Sequence, residues 1–120
     1  MAKRAEFRDN LELLQGTLDL MILETLRAWG HQHGYGLSQL IRTNSGDRLT
    51  VDAGSIYPAL HRLERRKFVA GEWQISEKKQ RTKVYRLTPA GVRHLASERS
   101  RWDELVRAMA GVLSPRAVEG

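Results

Sequence analysis

Apolar residues recur at every third or fourth position over four stretches of the chain, which is the spacing of one face of an α-helix. These stretches cover about residues 10–29, 37–44, 53–66 and 89–113. The first ends before Gly30, a residue typical of helix C-termini. The third, AGSIYPALHRLERR, contains Pro58, although an interior proline usually costs a helix about 3 kcal/mol. The pattern predicts four helices and implies that the third has a use for its proline.

Residues suited to helix starts precede the last two of these helices. Asp52 is expected to cap the third helix, because its carboxylate can accept a hydrogen bond from a first-turn N–H. Thr88 is expected to cap the fourth, with Pro89 at the first helical position, where the missing N–H costs nothing.

Between the third and fourth helices the hydrophobic period changes to two, which is typical of strands. The runs FVAGEWQI and KVYRL, separated by SEKKQRT, predict a two-stranded hairpin with a long basic tip. An isolated hairpin is marginal in water, so it is expected to pack on the helices. The predicted fold is therefore mainly α with a small β-hairpin, a winged helix-turn-helix with an added C-terminal helix. The second and third helices would form the helix-turn-helix pair.

The predicted organisation is a winged-helix domain over residues 10–88 and a dimerisation helix over 89–114, with a basic arm at 1–9 and a tail at 115–120. A chain of 120 residues with 41% hydrophobic content fits one core. Nothing resembles a signal peptide or a membrane-spanning stretch, so a cytoplasmic protein is expected. Without cysteine, the sequence has neither disulfides nor thiolate metal ligands.

The outward face of the third helix suits a DNA groove. At about 100° per residue, the inner side carries Ile56, Ala59, Leu60 and Leu63. The outer side and its flanks carry Gly54, Ser55, Tyr57, Pro58, His61, Arg62 and Arg65. Arginine can contact guanine through two hydrogen bonds, tyrosine can reach a phosphate, and the glycine and proline leave room for close approach. An ordinary solvated helix surface is the alternative.

Charge adds a second part to this surface. The sequence has 20 Lys and Arg against 14 Asp and Glu, which gives a net charge of +6. This charge favours an anionic partner, with nucleic acid expected before acidic lipid. The alternative is that the charge only makes the protein soluble. A basic wing beside a recognition helix can follow a phosphate backbone, and a solvated charge run is again the alternative. The candidate DNA-binding residues are Ser55, Tyr57, Pro58, His61, Arg62, Arg65, Lys78, Lys79, Arg81 and Lys83.

The last helix has a stripe that suggests a partner. Its apolar residues at coiled-coil-like spacing, the candidate dimer interface, are Leu95, Trp102, Leu105, Met109 and Val112. A lone helix with this stripe would be exposed unless it packed on a second copy or back on the first helix. In a homodimer, two recognition helices would reach half-sites about 34 Å apart on DNA.

Other chemistry finds little support in the sequence. His31 and His33 are spaced for a strand rather than a helix, and His33 falls in the HGYG motif, where a role in a turn is favoured over metal binding. Acidic residues and serines are scattered, with no nucleophile–base pair and no glycine-rich phosphate loop. We therefore predict no metal, no cofactor and no enzymatic activity.

The segments HGYGLSQLI, GSIYPALHRLERR and KVYRLTPAG together resemble the PadR family of transcriptional regulators, over about residues 16–113. The resemblance implies homodimers that bind near-palindromic operators, repress transcription and in some members release DNA on binding a small aromatic compound. It is closest to the family's short class, with a single terminal helix. It also implies that Trp102 lines an effector cavity, although Trp102 could merely fill the dimer core. One departure is Lys67, where family members often have a glycine in left-handed conformation.

The sequence therefore predicts a homodimeric, sequence-specific DNA-binding regulator, a repressor released by a small aromatic effector. The alternative is a winged-helix module that binds a protein or RNA without operator DNA.

Overall fold

The computed structural model describes residues 15–114. Within that range the chain forms α1 (Gln15–Trp29), β1 (Gln32–His33), α2 (Gly34–Asn44), α3 (Ala53–Arg65), β2 (Val69–Ile75), β3 (Arg81–Leu87) and α4 (Pro89–Leu113). A mainly helical chain with a small antiparallel sheet and a long last helix confirms the predicted fold class. The predicted basic arm 1–9, the start of the first helix and the tail 115–120 lie outside the described residues.

One hydrophobic core joins the helices to the sheet. Its buried members are Leu18, Ile22, Leu23, Leu26, Leu37, Ile41, Val51, Ile56, Ala59, Leu60, Leu63, Val69, Tyr85 and Leu95. The predicted inner face of α3, from Ile56 to Leu63, is confirmed as buried. Burying a large aliphatic side chain contributes about 1.5–3 kcal/mol, so this face determines which side of α3 points outward.

Helix α2 begins earlier than the predicted start at Leu37. Its first residue is Gly34, because the Nδ1 atom of His33 accepts a hydrogen bond from the backbone N–H of Gly36 at 2.9 Å. His33 therefore acts as the N-cap. The HGYG motif forms the cap and first turn of α2, and the expectation of a turn before the helix was wrong.

The caps predicted for the last two helices are confirmed. The Asp52 carboxylate accepts the N–H of Ser55 at 3.1 Å, and the Thr88 hydroxyl accepts the N–H of Gly91 at 3.0 Å. Pro89 occupies the first turn of α4, as expected.

The sheet has three strands, in the order β1-β3-β2, where the sequence predicted two. The predicted hairpin pairs antiparallel from Val69 opposite Leu87 to Ile75 opposite Arg81. The additional strand, β1, pairs with β3 over two residues only, and a run of that length carries no periodicity to detect. Because β3 begins at Arg81, the connecting loop is shorter than the predicted tip.

The turn after α3 is tight and fixes the start of the hairpin. Lys67 adopts a left-handed backbone with φ of 67°, and the N–H of Phe68 reaches back to the carbonyl of Leu63 at 3.0 Å. The position where the family often has glycine thus keeps the glycine-like conformation with a lysine. Gly91 of α4 packs directly on this turn, where an added Cβ would lie 2.0 Å from the Phe68 carbonyl oxygen.

Candidate nucleic-acid interface

The outer face of α3 is open to solvent along its length. Gly54, Tyr57, Pro58, His61 and Arg65 are all exposed, as the helical spacing predicted. Helix α3 runs through Pro58, which has no N–H to offer the carbonyl four residues earlier, that of Gly54. Since Gly54 is itself exposed, water can satisfy that carbonyl. The proline is therefore tolerated on the exposed face.

Two ion pairs hold the flanks of α3. The Arg62 guanidinium lies 3.0 Å from the Asp19 carboxylate of α1, and the Lys83 ammonium of β3 lies 3.0 Å from the Glu64 carboxylate. Two of the cations that the sequence suggested for DNA contact, Arg62 and Lys83, are thus engaged within the protein. Neither pair could be predicted from the sequence, because the partners lie 43 and 19 residues apart along the chain.

Tyr57 rests on the first residue of α2. A Cβ added at Gly34 would lie 2.6 Å from two ring carbons of Tyr57 and 2.7 Å from its hydroxyl oxygen. The ring therefore needs a glycine beneath it, and the contact fixes where the tyrosine stands beside α3.

The wing carries cations at its turn and along one strand. Lys78 and Lys79 lie in the turn, which closes through the Ser76 N–H to the Gln80 carbonyl at 2.8 Å. Arg81 and Lys83 lie on β3 instead. These two side chains share one face of the sheet with Trp73 and Ile75, because their positions pair across the hairpin.

The outer half of the hairpin does not pack on the helices as expected. Trp73 and Ile75 are 57% and 74% exposed, whereas Val69, at the base of the same strand, is buried. The Arg81 guanidinium lies over the Trp73 ring, 4.6 Å from its centroid. Trp73 is thus a platform for a cation, a role that sequence reasoning missed although the period-two pattern places both residues on one face.

A cleft of about 680 Å³ separates α3 from the wing. His61 and Tyr57 line one side, and Trp73 and Arg81 line the other. Tyr35, at the start of α2, also lines the cleft and is exposed, and it was not among the predicted site residues. Of the candidates on α3, Tyr57 and His61 belong to this lining. The other candidates on α3 lie outside it: Ser55, Pro58, Arg62 and Arg65.

The two halves of the stripe on α4 differ. Leu95 is 2% exposed and belongs to the core, because the first half of α4 packs against the body of the protein. Exposed apolar residues continue along the second half as Trp102, Leu105, Val106, Met109, Val112 and Leu113. Leu95 is thus separated from the other residues suggested for the dimer interface.

A second cavity, of about 470 Å³, lies between α1, the C-terminal end of α2 and α4. Met21, Trp29 and Trp102 contribute apolar surface, while Glu24 and Arg99 form an ion pair at 3.3 Å on its lining. A hydrogen bond from the Arg27 guanidinium is the main reason why the pKa of the Glu24 carboxyl is lowered, with Arg99 adding to the effect. This carboxylate therefore stays charged and already has cationic partners.

Between residues 15 and 114, no group of three or more His, Asp or Glu side chains is placed to hold a metal ion. In the same range, no helix combines the length and apolar character needed to cross a membrane.

A helix-turn-helix with an open outer face and a basic wing is the architecture of a DNA-binding regulator. The transcriptional regulator PadR-like family matches residues 22–97, and the chain belongs to that family. A transcriptional regulator of Mycobacterium tuberculosis, Rv3488, is 38% identical over 88 residues, which are 73% of this chain and 78% of the relative.

Solved structures agree with this assignment. A PadR family transcriptional regulator from Eggerthella lenta has a TM-score of 0.77 at 28% identity, over 95% of this chain and 96% of the other. A transcriptional regulator from Clostridium thermocellum, with a TM-score of 0.79 over 86% and 99% of the two chains, is 24% identical and supports the fold alone. The predicted family is confirmed, and its members are DNA-binding transcriptional regulators rather than enzymes.

The contact between Gly34 and Tyr57 can be tested by a double-mutant cycle. Gly34→Ala should lower the free energy of unfolding by about 1–3 kcal/mol, because the new methyl group displaces the ring. With Tyr57→Ala already present, the loss should fall below about 0.5 kcal/mol. Urea unfolding of the four proteins measures both values, and equal losses in the two backgrounds would show that the ring does not rest on Gly34.

Proposed function

We propose that this protein is a homodimeric, sequence-specific DNA-binding repressor. The observation that carries the proposal is the open outer face of α3 beside a wing that is rich in cations. Within that face, Gly54 has no side chain and Pro58 has a small one, which allows DNA to approach closely. His61 and Arg65 supply hydrogen-bond donors. A surface of this shape and charge fits a major groove.

The residues of α3 have different proposed roles. The side chains of Arg65 and His61 are exposed and form no ion pair or hydrogen bond with the other described residues, so they are proposed to read bases. Ser55 and Tyr57 are proposed to donate to phosphates or bases from the flanks. Arg62 is proposed to contact DNA from the flank held by Asp19, and that pair limits its reach.

The wing is proposed to follow the phosphate backbone. Lys78 and Lys79 are exposed at the turn, and Arg81 is held over Trp73 beside the cleft. A guanidinium stacked on an indole loses less side-chain freedom on binding than a free one. Each phosphate contact steepens the slope of the logarithm of the binding constant against the logarithm of the salt concentration by about one unit.

Dimerisation is proposed to use the second half of α4. The exposed residues Trp102, Leu105, Met109 and Val112 recur on one side of the helix, and Val112 is 83% exposed. A contiguous apolar stripe of this kind is typical of an interface between subunits. Two-fold symmetry would set the two α3 helices at half-sites of a near-palindromic operator.

Repression is proposed to end when a small, flat aromatic ligand binds between α1 and α4. Support comes from the cavity there, whose lining includes two aromatic side chains, Trp29 and Trp102, and aromatic side chains stack on planar molecules. Because Trp102 belongs both to this cavity and to the proposed interface, a ligand would change the spacing of the two recognition helices. If the protein bound RNA or an acidic protein but no operator DNA, the proposed function would be wrong.

The role of Arg65 can be tested with a duplex that the wild-type protein enriches from a random library. Arg65→Ala should weaken binding to that duplex by about 1–3 kcal/mol and leave binding to a scrambled duplex nearly unchanged, if Arg65 reads a base. Gel-shift titrations measure both affinities. Arg93→Ala removes the same charge from α4 and serves as the control. If the wild type enriches no duplex, or binds RNA of equal length better, the proposed function is wrong.

The proposed interface can be tested by placing a charge in its centre. Met109→Glu should give a monomer in sedimentation velocity at micromolar concentration, since burying an unpaired carboxylate costs several kcal/mol. The fold should survive, because Met109 is exposed in the single chain. The control is Ser100→Glu, on the opposite side of α4. A Met109→Glu protein that stays dimeric would contradict the interface.

The effector cavity can be tested by fluorescence in a protein whose only tryptophan is Trp102, after Trp29→Phe and Trp73→Phe. A flat phenolic acid, 4-hydroxycinnamic acid, should quench Trp102 saturably in this protein. The same compound should weaken binding of the wild-type protein to the enriched duplex by about fivefold or more. A protein that keeps only Trp73 is the control and should show no saturable quenching. Quenching that rises without saturation, at unchanged DNA affinity, would rule out this ligand class.

A further inference from the structure

The wing is joined to α3 by contacts that the proposed DNA-binding roles do not explain. The Lys83 ammonium on β3 lies 3.0 Å from the Glu64 carboxylate on α3. The same ammonium lies 5.8 Å from the centroid of the Trp73 ring. That ring also carries the Arg81 guanidinium, at 4.6 Å. A continuous series of contacts therefore runs from the recognition helix to a cation of the wing.

A glycine at position 71 leaves space for the ion pair between Lys83 and Glu64. A Cβ at Gly71 would lie 2.4 Å from Cε of Lys83 and 3.2 Å from Oε2 of Glu64. Gly71 stands beside Tyr85 in the hairpin register, at the base of the wing. A side chain at this position of β2 would displace the end of the Lys83 side chain from its present place beside Glu64.

The ion pair is more sheltered than most surface pairs. The side chains of Lys83 and Glu64 are 23% and 33% exposed, so salt and water screen their attraction less than they screen a fully exposed pair. The hydrogen bond to the Glu64 carboxylate raises the pKa of Lys83, which therefore stays protonated. Glu64 also offsets the repulsion between the two cations that share the Trp73 ring.

We infer that Glu64 is a positioning residue for DNA binding by the wing. Its ion pair with Lys83 fixes the base of the hairpin and Trp73, and Trp73 in turn holds Arg81 in the orientation that meets the phosphate backbone. Lys83 then acts within the protein rather than as a direct DNA contact. This inference rests on the proposed DNA-binding function of the wing.

Electrostatics alone predicts the opposite effect when Glu64 is neutralised. Glu64→Gln removes a negative charge near the cleft, which by itself should strengthen binding to any DNA. A positioning role predicts weaker binding, because Lys83 and Arg81 lose their fixed arrangement. The sign of the change in affinity therefore separates the two roles.

The experiment compares Glu64→Gln with Glu72→Gln on the duplex enriched by the wild-type protein. Glu72 is exposed on β2, on the face opposite Trp73, and takes part in no ion pair of the described residues. Glu64→Gln should bind about three- to fivefold more weakly than wild type. Glu72→Gln should bind equally or up to about twofold more tightly. If both variants bind more tightly, the inference is overturned.

A second variant covers the case in which Glu64→Gln is poorly folded. Glu64→Asp keeps the net charge but shortens the side chain, so a weaker affinity cannot come from altered charge. It should lose about twofold or more in affinity while its thermal unfolding midpoint stays close to that of wild type. Wild-type affinity in Glu64→Asp, together with an unfolded Glu64→Gln, would mean that Glu64 serves the fold alone and would overturn the inference.

Arg81→Ala separates this inference from the proposed function. If Arg81→Ala leaves the affinity and its salt dependence unchanged, the wing contact proposed above is wrong. If Arg81→Ala weakens binding but Glu64→Gln does not, DNA binding by the wing stands and the positioning role fails. In the Arg81→Ala background, Glu64→Gln should cause no further weakening.

Nuclear magnetic resonance supplies a readout that a purely structural role would not move. The Arg81 side-chain protons lie over an indole ring, so their resonances should be shifted upfield in the wild-type protein. The shift should diminish in Glu64→Gln and persist in Glu72→Gln. An unchanged upfield shift in a folded Glu64→Gln protein would break the proposed link between Glu64 and Arg81.

Discussion

The rest of the molecule depends on burial of one face of α3. Ile56, Ala59, Leu60 and Leu63 lie in the core, and this burial turns the opposite face outward. The ion pairs to Asp19 of α1 and to Lys83 of β3 join the two flanks of the same helix to its neighbours. Proline can therefore stand on the outer face, because packing rather than a complete set of backbone hydrogen bonds holds the helix.

Local patterns were enough to predict the helices, the caps of the last two and the hairpin, although the cap of α2 at His33 was missed. Asp52 and Thr88 act on N–H groups three residues away, and the alternation in β2 and β3 is visible within seven residues each. The outward face of α3 followed from the helical period alone. These features depend on neighbours in the sequence, so the sequence contains their signal.

The finer arrangement of the site depends on residues that meet only in three dimensions. Arg62 looked like a free cation until the fold brought Asp19 beside it. Gly34 gave no sign that the ring of Tyr57 would rest on it. The stripe on α4 seemed uniform, yet Leu95 is drawn into the core while Met109 is not, because the body of the protein ends between them. Periodicity identifies a face but does not identify what covers it.

The turn at Lys67 shows how the chain can vary its charge without altering its shape. A left-handed lysine costs about 1–2 kcal/mol that glycine would avoid. A positive charge just after a helix regains about 0.3–1 kcal/mol from the helix dipole. The second effect offsets part of the first, so a lysine at this point costs the fold about 1 kcal/mol relative to glycine. At that cost, the chain places a positive charge at the C-terminal end of the recognition helix while the turn keeps its left-handed backbone.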